Sequence, residues 1–298
     1  MSIDEVSLSK GELYTFVTNK AGCGKKGTVV AVISGTKADE IQRILEKIDL
    51  SHRLKVQEVT LDMAKNMEAG AKLAFPNATL VTDRFHVVKL SLDALQHIRT
   101  KLRWEEMDIE NQKIANIKEA KKALDKELRT NISKEEKARL QEHYQQVISE
   151  NKLEVHENGD SPKQLLSRSR YILAKKEDQW TKNQAERAQI LFLQYPILKK
   201  AYHEVLAFRN IYEERNKERA KIKMENWIQK VQDNEMKDFY SVANTVQNNL
   251  ENIVNFFNYR NTNANAESFN SKIKLFRANQ RGVKDTKFFL FRLSNLFA

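Results

Sequence analysis

Three acidic residues far apart in the chain, Asp4, Asp62 and Glu267, have types and settings suited to one kind of chemistry. Asp4 lies inside the apolar-polar run Ile3-Asp4-Glu5-Val6-Ser7-Leu8, and Asp62 closes the run Val56-Gln57-Glu58-Val59-Thr60-Leu61. A third run, Ala78-Thr79-Leu80-Val81-Thr82, ends on Asp83, with His86 shortly after it. Carboxylates gathered at one place repel one another unless a cation or a proton relieves them. Their hard oxygen atoms suit Mg²⁺ or Mn²⁺. Two such ions about 3.5–4 Å apart can activate a water or a 3′-hydroxyl and steady the leaving oxygen of a phosphodiester. Taken singly, an aspartate at a strand end serves equally as a turn residue or a helix cap. A glutamate in a first helical turn is favoured by the helix dipole alone. His86 is open to three roles: general base, metal ligand, or ordering partner of Asp83. The weight rests on the joint placement.

That placement requires a sheet. Between the runs ending at Asp62 and Asp83, Ala64 to Phe75 reads as one helix closed by Pro76-Asn77. Strand, helix, strand at this spacing is a βαβ unit, so the two strands are predicted to lie parallel. Both aspartates then emerge at the carboxyl edge, where open α/β sheets place their sites. Upstream, Ile3–Leu8, Leu13–Thr18 and Thr28–Ser34 read as an antiparallel meander. The segment Gly22-Cys23-Gly24-Lys25-Lys26-Gly27 reads as a hairpin turn and lacks the Gly-Lys-Ser/Thr spacing of a phosphate loop. Thr36-Lys37-Ala38-Asp39 resembles a capping box before Ile41, Ile44, Leu45 and Ile48 at helical spacing. This order is that of a ribonuclease-H-like sheet, in which the strands of Asp4 and Asp62 are central neighbours. Asp4 is then placed to bridge two ions. The expected fold class is α/β, a ribonuclease-H-like mixed sheet with a large all-helical insertion.

From Lys89 to Tyr259 no segment reads as a strand. Ser133-Lys134-Glu135-Glu136, Ser161-Pro162-Lys163-Gln164 and Thr181-Lys182-Asn183-Gln184 each open a helix. Glu105 to Glu150 reads as a solvated helical hairpin, and Val155 to Asp160 as a linker. Trp104, Trp180 and Trp227 are expected to pin helices together as core. The expected division is 1–100 as the first part of the catalytic core, 101–240 as the helical insertion, and 241–298 as helices completing the core. The last part is rich in asparagine and carries a helix that starts beyond Tyr259. Phe269, Ile273 and Phe276 mark its buried side, while Glu267, Asn270 and Lys274 share another. Lys272, Lys274, Arg277 and Arg281 would hold a phosphate backbone.

The chain has 298 residues, enough for one large domain or two ordinary ones. Charged residues at 31%, with 8 Gly and 3 Pro, favour long exposed helices over a loop-rich fold. A net charge of +11 and a pI near 9.4 favour a polyanionic partner. The single cysteine, Cys23, excludes a disulfide framework within the chain and a cysteine-based zinc ribbon. No run approaches 18 apolar residues, and the opening Met1-Ser2-Ile3-Asp4-Glu5 lacks the features of a signal peptide. A reducing, cytosolic location is expected, with no membrane partner.

Longer stretches carry a family resemblance. Leu61-Asp62-Met63, Phe75-Pro76-Asn77-Ala78, Asp83-Arg84-Phe85-His86-Val87-Val88-Lys89-Leu90, Glu157-Asn158-Gly159-Asp160 with Leu165 to Tyr171, and Thr262 to Lys274 resemble the DDE transposases of the ISL family of bacterial insertion sequences. The resemblance spans essentially the whole chain. It implies a ribonuclease-H-like core interrupted by a helical insertion between the second and third carboxylates. It also implies DNA cleavage at element ends followed by strand transfer into target DNA, with self-association on the double-stranded DNA. Asp4 matches the first catalytic aspartate and Glu267 the glutamate. Asp62 is preferred over Asp83 as the second, with Asp83 and His86 as auxiliary or alternative residues. Family members usually carry a zinc-binding and helix-turn-helix region before the core. Here Asp4 stands almost at the start, so that region is expected on a separate chain, or else the copy is truncated. Two other readings remain open at this point: a ribonuclease-H-like nuclease without strand transfer, and a non-catalytic basic nucleic-acid-binding protein.

Overall fold

The computed structural model describes residues 1–8, 11–130, 132–260 and 264–298, with the backbone alone for 264–267. Among the described residues five strands form one sheet: β1 (Ser2–Ser7), β2 (Leu13–Thr18), β3 (Val29–Ser34), β4 (Glu58–Leu61) and β5 (Thr79–Thr82). Their order is β3-β2-β1-β4-β5. The first three are antiparallel, and β1, β4 and β5 run parallel. The meander and the βαβ unit thus stand as the alternating patterns require. The turn between β2 and β3 holds a short 3₁₀ segment, Lys20–Gly22, and Cys23 takes a left-handed φ of 48°.

The helices in chain order are α1 (Ala38–Leu45), α2 (Leu50–Arg53), α3 (Lys65–Ala74), α4 (Arg84–Glu127), α5 (Lys134–Glu150), α6 (Pro162–Arg168) and α7 (Lys182–Gln194). There follow α8 (Pro196–Ile211), α9 (Lys217–Asp233), α10 (Lys237–Asn248), α11 (Leu250–Val254), α12 (Phe256–Tyr259), α13 (Ala264–Asn279) and α14 (Thr286–Phe297). Capping boxes start α5 at Ser133, α6 at Ser161 and α7 at Thr181. The one expected at Thr36 does not form. Lys37 takes the extended backbone of the cap position and no side chain caps α1, so the threonine falls outside the helix. Asp39 and Glu40 in its first turn still suit the helix dipole. Residues 261–263, between Tyr259 and the helix expected beyond it, lie outside the described residues.

The chain divides into two compact units, Met1–Ser91 with Phe208–Ala298, and Leu92–Ala207. These bounds differ from the expected 101–240. Helices α9 and α10 group with the sheet because their apolar faces pack on each other, and α9 also meets α11 and α12. Helix α11 in turn lies on β5.

In the sheet-bearing unit each face of the sheet has its own core. Ile3, Val59, Leu61 and Leu80 point to the side covered by α1 and α3, packing on Ile41, Leu45, Met67, Ala71 and Ala74. Gly70 lets the two helices close up, since a Cβ there would lie 2.9 Å from the Ile41 side chain. Val6, Leu8, Phe16 and Val29 point the other way, onto Phe269 and Ile273 of α13 and Phe289 and Leu293 of α14. Within this unit, polar clamps hold α11 and its flanks to α3 and β5. Lys65 donates to Asn249, Asn252 donates to Glu68 at 3.0 Å, and Asn255 donates to the Leu80 carbonyl at 2.9 Å.

The helical unit has α4 and α5 as a largely exposed hairpin, joined by Asn116 and Asn151 at 2.8 Å. The segment read as a linker is anchored at its end: Asp160 is wholly buried and accepts from Arg187 at 2.9 Å and from Arg168. The tryptophans do not behave alike. Trp227, in the sheet-bearing unit, is buried between Phe208 and Phe239. Trp180 stacks on Tyr202 and donates to the Ile172 carbonyl. Trp104 is 53% exposed and pins nothing, which corrects the expectation of a core role.

Candidate active site

Parallel register sets the site. Ser2 on β1 pairs with Thr60 on β4, so Asp4 stands level with Asp62 two residues further along each chain. Leu61 pairs with Thr82 on β5, so Asp62 stands level with Asp83. The Asp83 backbone N–H donates to the Leu61 carbonyl at 2.9 Å, which continues the ladder past the strand ends. Residues level across strands share a face. All three aspartates therefore lie opposite the α1–α3 core, on the face where Val6 meets α13.

Asp4 is half-buried. One of its carboxylate oxygens accepts from the Glu5 backbone N–H at 2.8 Å, the other from the Asn270 side-chain amide at 2.6 Å. Burial pushes its pKa up, and the Asp62 charge adds to this. The Glu5 N–H, His86 and Asn270 oppose the rise without cancelling it. Glu5 is also pushed up, first by burial and then by the charges of Asp62 and Asp4. Burial is thus the main cause that disfavours the charged form of both carboxyls, and the neighbouring carboxylates add to it.

Asp62 is 39% exposed at its side chain and accepts from the Met63 backbone N–H at 2.6 Å. His86, in the first turn of α4, sets Nδ1 3.5 Å from Asp62 Oδ2 and Nε2 3.9 Å from Asp83 Oδ2. Asp83 is 2% exposed. Its side chain accepts from the Phe85 N–H and its carbonyl from the Val87 N–H, so it caps α4. Nearby, Arg84 lies over the buried Tyr212 ring, 5.3 Å from its centroid, and 3.9 Å from Glu213.

Glu267 belongs to the first turn of α13, one turn before Asn270, and its side chain lies outside the described residues. Among the described residues no group of three or more His, Cys, Asp and Glu is arranged to hold a metal ion. Of the four basic residues expected at DNA, Lys272 donates to the Gly24 carbonyl at 2.9 Å and so ties α13 to the β2–β3 turn. Lys274 and Arg281 are exposed, and Arg277 is half-buried. Sequence reasoning placed Asn270 on the face of Glu267 but gave it no role. Its partnership with Asp4 crosses 266 positions, and no local signal carries it.

The family model DDE_Tnp_ISL3, described as a transposase, matches residues 1–155 and 138–293. The chain belongs to this family of DDE transposases, nucleotidyl-transfer enzymes that act in transposition and generally use divalent metal ions. No curated protein and no solved structure matches it. Among the described residues no helix is long and apolar enough to cross a membrane.

Proposed function

We propose that this transposase cleaves DNA at insertion-sequence ends and transfers the freed strand into target DNA, on a ribonuclease-H-like core with Asp4, Asp62 and Glu267 as its catalytic carboxylates. The observation that carries the reading is the Asn270–Asp4 hydrogen bond. It seats against the central strand the helix whose first turn contains Glu267. The level row of Asp4 and Asp62 supplies the other two acids. The strand order supports the fold assignment, with the helices of 92–207 as the insertion between second and third carboxylates.

Asp62 is preferred to Asp83 on access. Asp62 is open to solvent at the sheet edge, whereas Asp83 is buried and spends its oxygen on capping α4. The donor set suits a hard divalent cation, which would stabilise the Asp4 carboxylate that burial, and then the Asp62 charge, disfavour. Asp4, Asp62 and Glu267 would hold two Mg²⁺ or Mn²⁺ ions. When bound, such ions lower the pKa of a nucleophilic water or hydroxyl and stabilise charge on the leaving oxygen. Asn270 orients Asp4, and His86 holds Asp62 in place. Lys274 and Arg281 contact phosphates.

The test is Mg²⁺-dependent nicking and joining of a pre-cleaved element end. Asp4→Asn, Asp62→Asn and Glu267→Gln each abolish both while sparing DNA binding, because the amide keeps the shape and removes the charge. Asp83→Asn keeps measurable activity. Nicking without joining would reduce the protein to a nuclease, and full activity in Glu267→Gln would overturn the three-carboxylate assignment.

A further inference from the structure

The helical unit carries a cluster of arginines without acids. Arg99, Arg103 and Arg170 have no partner in any ion pair among the described residues. Arg99 is buried, and its bonds go to neutral groups only: Gln96 at 2.6 Å, the Leu166 carbonyl at 3.0 Å and Thr100 at 3.4 Å. Gln96 also donates to the Arg170 carbonyl, joining α4 to the segment after α6. The Arg103 Nε is buried without an acceptor. Burial, then the charges of Arg170 and Arg103, push the Arg99 pKa down, so the three groups feel one another. Of the acids that follow on α4, Glu106 bonds to Tyr195 and Glu110 to Lys163, while Glu105 and Asp108 form no ion pair with any of the three arginines among the described residues.

Two exposed aromatic rings flank the cluster. The Arg103 guanidinium lies 5.9 Å from the Trp104 ring centroid, and Arg170 lies 5.6 Å from that of Tyr171. Trp104 is 53% and Tyr171 70% exposed. An apolar ring left in water beside uncompensated positive charge suits a ligand that is both anionic and flat. Phosphates answer the arginines, and bases answer the rings. In a paired duplex the base faces are covered by stacking, so the ligand must offer unpaired bases.

We infer that this surface of the helical unit binds DNA with unpaired bases, Arg103 and Arg170 holding phosphates and Trp104 and Tyr171 stacking on bases. Its residues belong to the unit that holds none of the three carboxylates, so Asp4→Asn retains it and its failure leaves the proposed chemistry standing.

The experiment is a fluorescence titration of the full chain with a thymidine oligonucleotide, a duplex of equal length, and heparin as a polyanion without bases. The oligonucleotide quenches emission, and Trp104→Phe removes most of that quenching, since Trp227 is buried and Trp180 is bonded within its own unit. Trp104→Ala and Tyr171→Ala each weaken single-strand binding by roughly tenfold. Arg103→Ala and Arg170→Ala each reduce the slope of log K against log salt by about 0.7. Circular dichroism confirms that each variant is folded. Heparin binds without quenching Trp104. Unchanged Trp104 emission at saturating oligonucleotide would overturn the inference. So would wild-type single-strand affinity in folded Trp104→Ala and Tyr171→Ala variants.

Discussion

Glu68 offers a direct measurement of what holds the βαβ unit in place. It sits on α3, the helix that connects the strands ending in Asp62 and Asp83. Its carboxylate accepts from Lys65 at 3.0 Å, from Lys72 at 2.8 Å and from Asn252 of α11 at 3.0 Å, and its side chain is 14% exposed. Partial burial alone would raise its pKa. Lys72, Lys65 and Asn252 outweigh burial and pull it from 4.5 down to about 2. A gap of roughly 2.5 pH units corresponds to about 3.4 kcal/mol. Both lysines are mostly exposed, so screening reduces the usable part to about 1–1.5 kcal/mol. The folded pKa is depressed, so this stability is present above pH 4.5 and is lost as pH falls towards 2. The perturbation is Glu68→Gln, which keeps the shape and removes the charge. Urea unfolding is followed by Trp227 emission, with Trp104 and Trp180 replaced by phenylalanine so that the signal reports the sheet-bearing unit. The loss of stability caused by Glu68→Gln is about 1–1.5 kcal/mol at pH 7 and falls by more than half at about pH 3. An equal loss at both pH values would place the effect in packing and refute the electrostatic account.

Two further outcomes follow from the same geometry. Asn270→Ala removes a donor that favours the charged form of Asp4, so the Asp4 pKa rises further and the acid limb of the nicking profile moves to higher pH. An unmoved limb would mean that Asn270 serves only to seat α13. Asp160→Asn leaves Arg168 and Arg187 without their shared carboxylate and destabilises the helical unit by about 2–3 kcal/mol, at the low end for a broken buried pair because Arg168 is half-exposed. Trp180 emission in thermal unfolding checks it, and an unchanged transition would make the segment the plain linker that its composition suggests.

Local rules made much of this structure legible. Period-2 alternation and the turn residues between runs yielded all five strands. Parallel pairing across the βαβ unit was enough to line up Asp62 with Asp83. Ser133, Ser161 and Thr181 announced their helices because each has its capping partner three residues on. The failures have a common physical origin in contacts between distant segments. Thr36 has the capping pattern, yet the approach of the chain puts Lys37 at the cap. The asparagines at 249, 252 and 255 stood out by composition, but their purpose lies in partners on α3 and β5 about 180 positions away. The boundary at 207/208 falls inside the continuous helix α8, where nothing in the sequence changes. Tryptophan is usually core and its type alone says no more; Arg103 stands beside Trp104 in the sequence, but only the fold shows the exposure of the ring and the clustering of Arg103 with Arg99 and Arg170.

The level row of aspartates bears on how this chain can vary in length. A residue inserted or deleted inside β1, β4 or β5 shifts that strand against its neighbour, and a slip of one position turns every following side chain to the opposite face. Asp62 or Asp83 would then point into the apolar layer of α1 and α3 and leave the row. A change in the surface turn joining α4 and α5 leaves the Ser2–Thr60 and Leu61–Thr82 pairings alone. Natural length variation should therefore gather in the α4–α5 hairpin and in the turns between strands and spare β1, β4 and β5, and a deletion scan read by DNA nicking would draw the same line.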